Sequence, residues 1–365
     1  MKTLCRLWGI SLLVLVGILY SCSNEDYQSL DDLVVKTDVD HKEAFDFVAT
    51  LSPQQQENFE KTGEIFLPEQ RKNSWNDIID EDVPTNWGVF ENPFKLETRA
   101  VGIWGSYPAQ YWTMIRLKTG VLSSRVRDAI NAAVEEMESD TNVRFHNSQN
   151  DPKYYENTNI EFPNVFVEYA TGGREGSGSF GLVGGEQKIF IPTQFDNPQY
   201  DEDEIRAFFM HAFCNAAGMF NEQQRPDRDS WVRIYSSNIK DACQFQFTKQ
   251  SNNYITRGTF DYNSITMASS YAYSKNGNKT IERISGGEIA RTVELSDRDK
   301  GFLNYFYLPF IARKDLWIEL DSPVYYDGGQ LTEYERLNLQ RQLNQQRGLY
   351  GDPPPPAEPI ERKPW

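Results

Sequence analysis

The chain has few of the side chains on which imidazole or thiol chemistry is built. Three histidines, His41, His146 and His211, occur in 365 residues, so a metal centre or general base made from imidazole must draw on those three. Of the four cysteines, Cys214 and Cys243 lie far from the N-terminus. In an oxidising compartment, one disulfide between them and two separate thiols are equally open. Gly176-Ser177-Gly178-Ser179-Phe180-Gly181 matches the letters of a dinucleotide fingerprint. That motif works by opening a helix whose N-terminus meets a pyrophosphate, but the next residues here are Leu182-Val183-Gly184-Gly185, a run that breaks or turns. The stretch reads as a glycine loop joining two strands.

The elements that hold such residues must come from a chain that is 39% hydrophobic and 13% aromatic, too apolar to be disordered throughout. Its formal charge is −16, opposite to the basic footprint that neutralises phosphates, which excludes nucleic acid as a partner. Lys2 and Arg6 precede an apolar run from Leu7 to Tyr20, a charged start and then a segment too short to span a bilayer as a mature helix. Residues 1–21 are therefore expected to be an export signal. It ends in Leu19-Tyr20-Ser21-Cys22, which resembles the bacterial lipobox. Glu25-Asp26 resembles the surface-export signal of Bacteroidetes lipoproteins. The resemblance implies lipid on Cys22 and a surface-exposed outer-membrane lipoprotein, held to the membrane by that anchor.

Residues 22–98 are expected to form an acidic leash and a small, partly helical pre-domain. Beyond them, Ser123 or Ser124 can cap a helix over 124–138 that presents Val126, Ile130, Ala133, Val134 and Met137 on one face. Strands are expected at Val143-Arg144-Phe145, around Val165, Val167 and Tyr169, and over Lys188 to Ile191. Thr332 with Glu335 makes a capping box for a polar helix on Leu331, Tyr334, Leu337 and Leu339. Pro353 to Pro356 then enforce an extended, solvated tail. Helices among short strands point to an α+β domain.

One segment carries a family resemblance. His211-Ala212 is followed by Asn215, Gly218 and Asn221, and then by Glu222-Gln223-Gln224-Arg225-Pro226-Asp227-Arg228-Asp229. This is similar to the astacin family of zinc metallopeptidases, whose helix and turn read H-E-x-x-H-A-x-G-x-x-H-E-Q-x-R-P-D-R-D. Phe260-Asp261-Tyr262-Asn263-Ser264-Ile265 resembles the family's lead into its Met-turn. Ala272-Tyr273-Ser274 resembles the segment after that turn, and Leu295-Ser296-Asp297-Arg298-Asp299 resembles its closing helix. The likeness covers roughly residues 100 to 310, within a domain placed at 99–320. Segment 321–365 supplies a polar helix and proline-rich tail. The implied fold is zincin-like, of the metzincin/astacin catalytic-domain type, with a small mixed sheet, a backing helix and an active-site helix.

In the family's register, the three zinc-ligand positions are His211, Asn215 and Asn221, and the general-base position is Ala212. A carboxamide is a neutral, weak donor to zinc, and alanine accepts no proton. In the altered Met-turn, Thr266, Met267 and Ala268 stand where the family has methionine, histidine and tyrosine. No metal, no catalytic residue and no cofactor are expected on this register, zinc entering only with an atypical site. The resemblance leaves a framework: Gly218 to stop the helix, and Glu222, Arg225, Asp227, Arg228, Asp229 and Tyr262 to hold the turn. His211, among Phe208, Phe209 and Phe213, reads as a hydrogen-bonded core or cleft residue.

Three functions stand as expectations. The first is a catalytically inactive surface homologue that binds a polypeptide or glycoprotein. The alternatives are an active zinc metalloendopeptidase with an atypical metal site and a structural component of an envelope complex. If the first holds, cleavage after Arg99 has no zymogen to activate. The mature chain would then keep residues 23–99, and Glu222 would be neutralised by an internal cation such as Arg225.

Overall fold

The computed structural model describes residues 101–103, 114–154, 161–170, 176–177, 180–182, 185–251, 254–256, 258–311, 313, 315–326, 329–355 and 365. The export signal, Cys22, His41, the segment 22–98 and the Arg99–Ala100 boundary lie outside the described residues. In chain order the first strands are β1 (Val101–Ile103), β2 (Ile115–Thr119), β3 (Phe145–Asn147), β4 (Asn164–Tyr169), β5 (Gly176–Ser177) and β6 (Glu186–Ile191). The later ones are β7 (Val232–Ile234), β8 (Tyr254–Thr256), β9 (Ile281–Arg283), β10 (Tyr325–Tyr326) and β11 (Gly329–Gln330). The helices are α1 (Ser124–Asp140), α2 (Glu202–Ala216), α3 (Asp297–Phe306) and α4 (Glu333–Gln346).

The fold is α+β. Strands β2 to β6 form a five-stranded mixed sheet in the order β3-β2-β4-β6-β5, parallel except for β5, which runs antiparallel along β6. Strand β4 alternates as expected, with Val165 and Val167 buried. The glycine stretch supplies the short edge strand β5 and leads into β6, so it opens no helix.

Helix α1 starts where Ser123 accepts a hydrogen bond from Val126 N–H and buries Val126, Ala129, Ile130, Ala133, Val134 and Met137. This row packs with α2, the sheet and α3 into one core. The strand expected at 143–145 begins two residues later, at Phe145. Arg144 ahead of it turns its buried guanidinium to the carbonyls of Glu138, Thr141 and Pro323 and to Asp321.

The C-terminal segment departs from the sequence expectation in two respects. The capping box of Thr332 and Glu335 forms, but α4 buries Leu339, Gln340, Leu343 and Asn344 while Tyr334 is 72% exposed. Gln340 and Asn344 accept hydrogen bonds from Leu320 and Ile318 N–H, so the amides choose the buried face. The tail is not wholly solvated either: Trp365 packs against the main core and donates its indole N–H to Leu117 O at 2.9 Å.

Candidate functional site

Helix α2 carries His211, Ala212 and Asn215, with the first and last one turn apart on one face. It ends in a Schellman turn, in which Gly218 N–H donates to Asn215 O and Met219 N–H to Cys214 O, both at 2.9 Å. Gly218 has φ +96°, a conformation open to glycine. The chain thereby doubles back and delivers Asn221 to the helix face it has just left.

There the three positions meet. His211 Nε2 lies 2.8 Å from Asn221 Oδ1, and Asn215 Nδ2–H donates to the same oxygen at 3.1 Å and to Met219 O at 3.0 Å. Asn221 Nδ2–H donates to Gln246 Oε1 at 2.7 Å. Asn215 Nδ2, anchored on the Met219 carbonyl, fixes which end of the Asn221 amide faces the histidine, so Nε2 carries the proton and donates. Burial holds the His211 imidazole down at about 4, with the Asn221 hydrogen bond pulling the other way, and the ring is neutral at neutral pH.

This donor set does not fit zinc. Two of the three positions are carboxamides, neutral and weak donors, which leaves one imidazole where the ion needs three strong ligands. Ala212 lines the cleft and has no proton acceptor. Cys214, one turn from His211, is buried in the main core, where burial pushes its thiol well above the ordinary range. His146 is bonded to Asp151 at 3.1 Å. Among the described residues, no three His, Cys, Asp or Glu side chains are grouped to hold a metal ion.

Gln246, which no motif in the sequence singles out, comes from the 3-10 stretch Asp241–Phe247. Its backbone carbonyl also accepts from Gln223 Nε2–H at 3.0 Å, and Gln223 Oε1 accepts from Ala268 N–H at 3.0 Å. Gln224 reaches Phe245 O at 3.1 Å. Three amides thus tie the turn after α2 to the loops around it. A glutamine some 25 residues from its partner has no spacing by which sequence could find it.

The framework residues divide by depth. Arg225, fully buried, grips Asp227 with two bonds of 2.9 Å, donates to Gly258 O at 2.9 Å and lies 3.5 Å from Glu222 Oε1. Glu222 also accepts from Asp261 N–H at 2.8 Å. Burial pushes its carboxyl up to about 8, against the pull of Arg225. Arg228 donates to Gln223 O at 2.8 Å and to Phe247 O. Asp229 sits outside, between Arg228 and Lys249. Tyr262 donates to Trp231 O at 2.8 Å while Arg283 stacks over its ring at 4.4 Å.

Below the cleft, Thr266 is fully buried and donates to Phe220 O at 3.3 Å. Asp299, pushed by burial to about 6, accepts from Ser264 Oγ and Ile265 N–H, both at 2.7 Å. Met267 and Ala268 border a cleft of about 260 Å³ with His211, Asn215 and Gln223. Ala268 offers no hydroxyl to a ligand. Of the two arrangements left open for the cysteines, the structure has separate residues: Cys214 belongs to the main core, Cys243 packs on a second cluster around Phe247 and Met267, and no bond joins them.

A model of the astacin peptidase family matches residues 104–308. Zinc metalloproteinase nas-13 of Caenorhabditis elegans is 35% identical over 130 residues, 35% of this chain and 27% of that protein. Zinc metalloproteinase nas-14 of the same organism is 26% identical over 238 residues, 63% of this chain and 42% of that protein. Among solved structures, high choriolytic enzyme 1, a hatching-enzyme zinc protease from Oryzias latipes, aligns with TM-score 0.42 and 25% identity, covering 55% of this chain and 95% of that one. The chain spans less than half the length of both curated relatives.

Proposed function

The chain belongs to the astacin family of peptidases, and we propose that it is a member without catalysis, whose cleft binds a polypeptide or glycoprotein and leaves it intact. The observation that carries this reading is the Asn221 Oδ1 atom, which two protein donors, His211 and Asn215, share. Zinc in such a peptidase acts as Lewis acid and lowers the pKa of bound water. Here the ligand positions are occupied with one another, and the base position is an alanine. Each loss removes orders of magnitude in rate, and the two act on the same step. The cleft itself is kept, walled by helix α2 and the Met267–Ala268 turn. The signal-like start and Cys22 support a lipid-anchored protein on a bacterial outer membrane, facing outward.

The test is hydrolysis of denatured casein by the purified full chain with zinc supplied. We expect no cleavage above a Glu222→Gln, His211→Ala control. Chelator-sensitive cleavage lost in that control would contradict the proposal.

A further inference from the structure

We infer that an acidic stretch of this chain, residues 77–82, docks in cis on the Arg283 guanidinium and the aromatic surface beneath it. This surface lies apart from the cleft, which none of Trp231, Phe260, Tyr262 and Arg283 borders. Three observations converge on it.

The first is an unspent cation. Among the described residues, Arg283 is the one arginine that makes neither a hydrogen bond nor an ion pair, and its Nε is buried without a partner. Carboxylates close by in the chain are engaged elsewhere: Glu282 with Tyr235, Arg233 and Lys279, and Glu288 with Tyr271 and Lys279. A half-buried guanidinium without an acceptor is costly, and carboxylates against its fork would satisfy it with charge-assisted bonds.

The second is the mounting of that cation. Arg283 lies 4.4 Å over the Tyr262 ring, Tyr262 stands edge-on to Phe260 with centroids 5.1 Å apart, and Phe260 stacks on Trp231 at 6.2 Å. Tyr262 is held in turn by its bond to Trp231 O. Stacking fixes the plane of the guanidinium and leaves its edge to a ligand. Trp231 is partly exposed and Ile284, beside Arg283, is 48% exposed, so the cation has an apolar rim on which a polypeptide stretch can lie.

The third is where the acidic segment joins the domain. Residues 23–98 hold 18 acidic residues against 6 basic ones, so most of the formal charge of −16 lies ahead of the domain. The segment leads into β1, where Val101 pairs with Thr256 on β8. Thr256 and Tyr262 are six residues apart in the chain, which keeps the entry point within about 20 Å of the aromatic surface. The densest acid run of the segment is Asp77, Asp80, Glu81 and Asp82. From Asp82 to Val101 the chain can span about 60 Å, ample for this distance, and a tether of that length presents the acids to Arg283 at roughly millimolar effective concentration. A stretch docked there covers the aromatic surface and not the cleft.

Hydrogen exchange of the full chain, read by mass spectrometry, tests this. We expect the amides of residues 77–90 to be protected at low salt, and Arg283→Gln to speed their exchange roughly fivefold or more. Neutralising the acids together, with Asp77→Asn, Asp80→Asn, Glu81→Gln and Asp82→Asn, should do the same, and combining both sets should add nothing further. Arg283→Glu should also release the stretch. Asp80→Lys, Glu81→Lys and Asp82→Lys together should restore protection in that background, a recovery that damage to the fold could not give. Exchange of residues 77–90 indifferent to Arg283→Gln, or no recovery in the charge-swapped chain, would overturn the inference. Protection that rises with protein concentration would overturn it too, by placing the stretch on a second copy of the chain.

Discussion

Asn221 Oδ1 sits 2.8 Å from His211 Nε2 and, through the other end of the same amide, Asn221 binds Gln246 at 2.7 Å. One side chain thus joins the helix, the turn after it and a loop 25 residues further on. Asn221→Ala should cost about 2 kcal/mol, because it strands the His211 and Gln246 partners, and added chelator should not change the wild-type melting curve. Asn221→Asp keeps the shape but faces a charged oxygen to the ring. It should raise the His211 pKa from about 4 by about one unit or more, read by NMR titration. An unmoved histidine would place Asn221 away from it.

Glu222 makes stability depend on pH in a window of its own. Folded, it titrates near 8 because burial disfavours its charge, against an ordinary 4.5. Between those values the unfolded chain sheds a proton that the folded chain keeps. Its contribution is therefore complete below 4.5 and is lost as pH rises to about 8. His211 acts oppositely, losing stability as pH falls from 6.5 to about 4. Asp299, raised to about 6, has finished by neutrality. Urea unfolding between about pH 6.5 and 8 should thus show falling stability, and Glu222→Gln should flatten that slope. A wild-type curve flat over the same range would refute the assignment.

Much of this was legible in the sequence, for identifiable reasons. Helix α1 declared its buried face through apolar spacing and Ser123, and the run from Glu222 to Asp229 marked the turn because its mixed charges form a local set. Gln246 was invisible because its role depends on where a distant loop returns. The buried face of α4 is not legible from hydrophobic spacing, because Gln340 and Asn344 are buried by hydrogen bonds to backbone. The docking of Trp365 is not legible either, because the prolines before it predict only extension.

Trp365 should contribute measurably to stability. Its backbone N–H donates to Asn131 Oδ1 at 2.8 Å, its carbonyl accepts from Asn131 Nδ2–H at 3.3 Å, and its indole reaches Leu117 O. Trp365→Ala and Asn131→Ala should each cost about 1–3 kcal/mol in denaturant unfolding, with the double variant costing less than their sum. Strict additivity would mean that the indole does not anchor the Trp365 backbone that Asn131 binds.

Restoring residues tests what the site lacks. Ala212→Glu alone should yield no peptidase activity, since a base without a metal-bound water has nothing to activate. Adding Asn215→His and Asn221→His should create zinc affinity before turnover, and should lower metal-free stability because the bond to Gln246 is lost. Activity from the single change would reveal a metal already held.

Zinc stoichiometry of the purified full chain, after exposure to equimolar zinc and gel filtration, tests the central claim most directly. With His211 Nε2 donating to Asn221 and carboxamides at the other two positions, we expect well under one equivalent, removed by brief chelation. Near-stoichiometric zinc that survives gel filtration and is lost from His211→Ala would contradict the non-catalytic reading.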